Sequence, residues 1–230
     1  MIVQLIITAL IPVFLLLAFL YLTDRYDKEP VKLLFKLFLY GFLSALPVIL
    51  LENLFMRFNI FTGIVAVIFE TFFIAGFIEE SFKRKIVLKV AYNHVAFDEK
   101  LDGIIYCAFA SLGFAAIENI LYLIFQSATT TNLGVIRGLL SVPAHMLFAI
   151  TMGYYLSMAK FTDNEKDKKK YLSKSIIYPV IIHGLFNFIL MTNMSFLFIF
   201  LPYVIFLWVY NMKKLTRFYK LSKERHINEQ

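Results

Sequence analysis

Residues Met1–Leu22 read MIVQLIITALIPVFLLLAFLYL, a run without a single charged side chain. A bilayer core about 30 Å thick takes roughly 20 mostly apolar residues in a helix, because backbone groups left unpaired in lipid find no water. The stretch meets that length. It has no basic leading region and no small-residue cleavage site, and charge follows directly at Asp24 and Arg25, so it is read as a helix and not as a signal peptide.

Six further stretches read the same way, near Leu33–Leu54, Phe61–Phe82, Leu101–Phe125, Val135–Ala159, Lys174–Met191 and Phe196–Met212. The polar residues Thr192 to Ser195 read as a tight turn between the last two, with one long tilted helix as the alternative. Pro12, Pro47, Pro143, Pro179 and Pro202 fall inside spans, where neighbouring helices accommodate kinks. The expected fold is an all-α, polytopic membrane bundle of about seven transmembrane helices.

Composition agrees. Of 230 residues, 60% are hydrophobic and 17% charged, where soluble domains have about 45–50% and 25%; mean hydropathy is +0.73. One cysteine, Cys107, excludes a disulfide scaffold, and 9 Gly with 6 Pro exclude collagen and low-complexity chains. The net charge of +7 raises the question of nucleic acid, which the position of the charges answers. Of 23 basic residues, all but Arg57 and Arg137 fall in the loops after spans one, three and five or in the tail. Cytoplasmic loops collect Lys and Arg, so the N-terminus is placed outside and the C-terminus in the cytoplasm. Residues 213–230 form a basic cytoplasmic tail suited to anionic lipid, and no nucleic-acid partner is expected. The longest polar stretch, Lys160 to Lys174, is too short to bury a separate core, so residues 1–230 form one unit.

Ionisable groups inside spans cost several kcal/mol unless paired or facing a wet cavity, which makes each a functional candidate. They are Glu52, Glu70, Glu79, Glu80, Glu118, Arg137 near a span end, His145 and His183, with Asn119 and Asn187 as neutral partners. Adjacent helical residues point about 100° apart, so Glu79 and Glu80 cannot share one role. One reading pairs Glu79 with Lys83 and Glu80 with Arg84 as a salt-bridged helix end. The other makes one carboxylate a general base facing a cavity while its neighbour fixes another helix. Glu118 is deep in span four and His145 roughly mid-span in span five. His183 and Asn187, four residues apart, share a face of span six, and Gly184 lets another backbone come close; the pair suits oxyanion stabilisation or water positioning. Carboxylates and imidazoles from four spans can converge in a bundle core. Such a set suits zinc with an open position for water, although no HExxH is present; direct activation of water by a Glu and a His is the metal-free alternative. Both amount to peptide hydrolysis within the membrane. Cys107 is read as an inert thiol, and His94 as a solvated loop residue.

Taken together, Asp24-Arg-Tyr-Asp-Lys-Glu-Pro30, Glu79-Glu80-x-x-Lys83, Phe114-x-x-x-Glu118-Asn119, Arg137 with Pro143 and His145, and His183-x-x-x-Asn187 resemble the PrsW family. These are membrane-embedded bacterial proteases related to the type II CAAX prenyl endopeptidases. The resemblance runs from Asp24 to Asn187. It implies one membrane-embedded protease domain in the bacterial cell membrane, performing site-1 cleavage of a single-pass anti-sigma factor and so starting release of an alternative sigma factor under stress. It also implies that Glu79, Glu80 and His183 are the central catalytic residues, with Glu118 and His145 beside them. The CAAX relatives carry a Glu pair followed by Arg, which Arg84 matches, and place His where this chain has Glu118. Their water-activation scheme therefore does not transfer directly. Glu79 is the leading base candidate, and its imidazole partner stays open between His145 and His183. The Asp24–Pro30 segment is read as a structural turn leading into span two.

Two other functions fit the buried polar groups. A transporter would use them to relay protons or bind a cation, although no internal repeat supports it. A scaffold would use them as glue between helices. One tension stands: Glu79 is placed toward the cytoplasmic end, while a site-1 cut belongs toward the outer face. A wet cavity or a bent third helix would reconcile the two.

Overall fold

The structure, a computed structural model, describes residues 2–229 except 127–130 and 193–195, and leaves aside the side chains at 2–5, 8, 123, 125–126, 131–139 and 196–197. The expected turn at Thr192–Ser195 and the Arg137 side chain thus lie outside the described residues, apart from Thr192, whose amide bonds back to the Phe188 carbonyl.

The described residues are all-helical and form seven rods. Here α1 is Ile2–Thr23 and α2 is Val31–Met56. The third rod, α3, joins Gly63–Ile68, a widened π-helical stretch Phe69–Ile78 and Glu79–Val90 without a break. Then come α4 (Lys100–Gln126), α5 (Thr131–Lys160) and α6 (Glu165–Met191). The last, α7, begins with a π-helical turn, Phe196–Phe200, and continues as Leu201–Asn228. Four described helices have the length and apolar composition to cross a membrane: Val31–Met56, Lys100–Tyr122, Glu165–Met191 and Phe198–Asn228. Ala9–Thr23 is a shorter apolar helix.

Several rods outrun their apolar spans. α6 begins at Glu165 because Asn164 caps it, its side-chain oxygen accepting from the Lys166 and Asp167 amides, and acidic residues fill its first turn. α7 carries residues 213–228 as helix. Lys214 donates to Thr151 Oγ1 (2.9 Å), which donates to Asn211 Oδ1 (2.6 Å), tying this part of α7 to α5. Between α1 and α2, Asp24 Oδ2 accepts from the Glu29 amide (3.0 Å) and closes the expected turn, and Pro30 heads α2.

The centre of the bundle is α4, which α1, α2 and α5 surround. Of its spanning window, 72% is buried. Small residues permit this. A Cβ on Gly41 of α2 would overlap the Ala110 carbonyl of α4, one on Gly113 would overlap the Phe38 carbonyl, and Gly103 of α4 meets Gly153 of α5 backbone to backbone. Asn119, at the far end of α4, donates to the Ala9 carbonyl of α1 (2.9 Å), so its amide serves packing. With α4 pinned at the middle, buried polar side chains of α3, α5 and α6 meet beside it.

Candidate active site

The π-helical stretch of α3 ends at Ile78, and the next two residues are Glu79 and Glu80. Wide turns of this kind recur at functional sites. Both carboxylates are buried, with Glu80 wholly so. Glu80 Oε1 accepts from His183 Nδ1 of α6 (2.9 Å) and from Lys83 Nζ (2.9 Å). Its Oε2 is buried without a partner. Glu79 Oε2 also accepts from Lys83 Nζ (2.9 Å). The third contact of Lys83 Nζ is His145 Nδ1 of α5, at 3.0 Å, and the other nitrogen of that ring lies 2.7 Å from Glu118 Oε2 of α4.

Glu79, Glu80, Glu118, His145 and His183 thus form one connected network drawn from four helices. The imidazoles are held by packing as well. The His183 ring stacks on Phe148 (centroids 4.7 Å apart, 20° between planes) and meets His145 edge to face at 5.3 Å. Gly184 lets α6 approach α3, since a Cβ there would run into the Phe72 ring.

Asn187 lies one turn along α6 from His183 and lines a cavity of about 280 Å³ together with Glu79 and Glu118. The cavity continues past Glu52 and Glu70 to Asn53 and Met56 at the end of α2 and Met191 at the end of α6. Those ends lie away from the Lys-rich loops. One oxygen of Glu79 is tied to Lys83, and the residue lines the cavity. Glu52 has a buried oxygen, Oε1, with no partner.

The expected salt-bridged helix end is half present. Glu79 pairs with Lys83, but Glu80 also takes Lys83, while Arg84 turns to α6 and donates to Ser175 Oγ (2.8 Å) and the Leu172 carbonyl (3.2 Å). Burial lowers the proton affinity of the Arg84 guanidinium. Cys107 is buried and free. His94 is exposed and its Nδ1 accepts from the Ala96 amide.

Glu79, Glu80, His145 and His183 offer ligand atoms all within 4.8 Å of one another, a group that could hold a metal ion. Two carboxylates and two imidazoles suit zinc as a donor set. The space does not. Lys83 Nζ stands among the donors, in hydrogen-bond contact with three of the four residues, so an ion does not fit while the lysine is where it is. Sequence reasoning paired Lys83 with Glu79 alone and missed its contacts with Glu80 and His145. Its spacing from Glu79 and Glu80, four and three residues, was the available signal.

Comparison with known proteins points to a membrane-embedded protease. The profile of the PrsW family intramembrane metalloproteases matches residues 29–211. Protease PrsW of Clostridioides difficile (strain 630) is 41% identical over 96% of this chain and 94% of its own. Protease PrsW of Bacillus subtilis (strain 168) is 37% identical over 86% and 88%, and that of Shouchella clausii (strain KSM-K16) 33% over 94% and 99%. No solved structure matches. The transporter and scaffold readings give way to a membrane-embedded protease, and the chain belongs to the PrsW family.

Proposed function

We propose that the protein makes the site-1 cut in a single-pass anti-sigma factor in the bacterial cell membrane, with Glu79 as general base. The observation that carries this reading is the cavity joining Glu79 and Asn187 to the helix ends away from the Lys-rich loops. With seven crossings, the N-terminus outside and residues 213–230 in the cytoplasm, those ends face outward. A cut toward the outer leaflet is then compatible with a base deep in α3.

The chemistry follows from what each residue can donate or accept. A water in the cavity gives a proton to the free oxygen of Glu79 as its own oxygen attacks the scissile carbonyl carbon. The Asn187 amide donates to the oxyanion that forms, with His183 on the same face of α6. Glu79 returns its proton to the leaving amine as the C–N bond breaks. Glu80 holds α3 to α6 through His183. Between the two imidazoles, His183 is the better partner for the reacting centre, because His145 is engaged at both nitrogens. Zinc suits the donor set by ligand type, but Lys83 Nζ stands where the ion would sit. The steps above run on side chains alone.

The test is co-expression with tagged single-pass anti-sigma-like proteins, comparing wild type with Glu79→Gln and mapping the new terminus by mass spectrometry. A fragment made only by wild type, cut toward the outer side of the substrate's span, supports the reading. Intact substrate throughout, with both proteins folded in the membrane, counts against an anti-sigma factor as the target. A cut on the cytoplasmic side sinks the proposed route to Glu79.

A further inference from the structure

Lys83 is 1% exposed and its ammonium has three protons and three acceptors: Glu79 Oε2, Glu80 Oε1 and His145 Nδ1, at 2.9, 2.9 and 3.0 Å. Nζ also lies 4.3 Å from the centroid of the Phe114 ring, on α4. Every direction in which an ammonium can be stabilised is therefore used. The arrangement is built into the helix, since residues three and four apart lie on one face. Once α3 forms, Lys83 is delivered beside both carboxylates, and only His145 and Phe114 need to come from elsewhere.

The same three acceptor atoms are among those a metal would take. An ion bonded at about 2.0–2.2 Å to carboxylate oxygens and imidazole nitrogen sits between them, where Nζ already is. Nitrogen and ion would be well inside contact distance and both positively charged, so one excludes the other. We propose that Lys83 is the resident cation of this site, and that its ammonium and a divalent metal are alternative occupants of one position. Metal binds only when Lys83 has left it. The lysine thereby holds Glu79 and Glu80 as a charge-compensated pair in a low-dielectric interior and fixes which Glu79 oxygen meets the cavity. In this role Lys83 is a positioning residue. The inference concerns occupancy and needs no substrate, so it stands or falls apart from the choice of target.

The experiment uses the full chain in nanodiscs, titrated with Co²⁺, whose visible absorption reports tetrahedral nitrogen and oxygen ligands, and with Zn²⁺, counted by elemental analysis after dialysis. Wild type is expected to keep no stoichiometric ion. Lys83→Met, with a neutral side chain of similar length, is expected to bind one ion per chain at least about tenfold more tightly than wild type, and adding His145→Ala to lose it. Equal affinity in wild type and Lys83→Met, through ligands that include His145, overturns the proposal. So does failure of folded Lys83→Met to bind any ion. Should Lys83→Met not fold, wild type decides alone: one retained ion per chain that His145→Ala releases overturns the proposal, and its absence upholds it.

Discussion

His145 joins Glu118 and Lys83 through opposite sides of one ring, Nε2 lying 2.7 Å from Glu118 Oε2 and Nδ1 lying 3.0 Å from Lys83 Nζ. An ammonium only donates, so Nδ1 accepts, and the ring proton is assigned to Nε2, where Glu118 receives it. The tautomer is thus set by a carboxylate from α4 and a lysine from α3. Glu118→Ala removes one of the two constraints. Cleavage is expected to fall on the order of 10- to 100-fold, as when the partner orienting an imidazole is lost, with Glu118→Gln retaining part of the activity. Single-turnover cleavage of a purified substrate measures it.

The adjacent carboxylates of α3 separate by readout. Glu79→Gln keeps an acceptor for Lys83 but removes the base, so cleavage is expected to drop by about 10²–10⁴ with little change in thermal stability. Glu80→Ala strips a wholly buried carboxylate from both Lys83 and His183. Breaking a buried pair costs roughly 3–5 kcal/mol, so both stability and activity should fall. Thermal unfolding beside cleavage distinguishes the two.

A second acidic group, far from the cavity, gives the fold a pH dependence. Asp24, Glu29 and Glu99 are buried around the start of α2 and α4, and Glu29 accepts a hydrogen bond from the Tyr106 hydroxyl. Burial pushes Asp24 up to about 6 and both Glu29 and Glu99 up to about 7, with neighbouring acids adding to the rise. Between the usual carboxylate range near pH 4 and these raised values, the folded chain holds protons that the unfolded chain has lost. Stability from this group is therefore full below about pH 4 and declines as pH rises toward 7. Melting curves across that window should show the decline, and Glu29→Gln should flatten it.

Helix approach at the centre can be tested without touching the chemistry. Gly41→Ala places a methyl against the Ala110 carbonyl of α4, and backbone cannot give way as a side chain can. A loss of roughly 1–3 kcal/mol is expected from overpacking, with larger residues worse. Gly63→Ala, at a positive-φ position with open space around it, tests strain at the first residue of α3 instead and should leave the α2–α4 crossing intact.

Much of this was legible because burying charge in lipid is costly. Glu79, Glu80, Glu118, His145 and His183 stood out against apolar spans, and the fold draws all five together. The central position of α4 was not legible, since close approach at Gly41, Gly103 and Gly113 depends on which helices cross there. Asn119 resembled a site residue by chemistry, yet its amide reaches α1, a partner that spacing along one helix cannot reveal. Arg84 and Lys83 have similar charge and adjacent positions, and the helix phase sends one to α6 and the other into the site. Helix ends were also misjudged where apolarity alone was followed: α6 runs back to Glu165 because an asparagine cap and a good helix-forming sequence extend it.

The wide turns of α3 act as a phase setting. A regular helix turns by about 100° per residue, so removing a single residue between Phe69 and Ile78 would swing everything downstream by about that angle while leaving the rod unbroken. Glu80 would move toward the bearing that Glu79 now has, Lys83 would keep both carboxylates but turn away from His145 and Phe114, and a folded membrane helix would carry the same letters in the wrong rotation. For this chain, the length of one apolar stretch is as much a part of the chemistry as the acids that follow it.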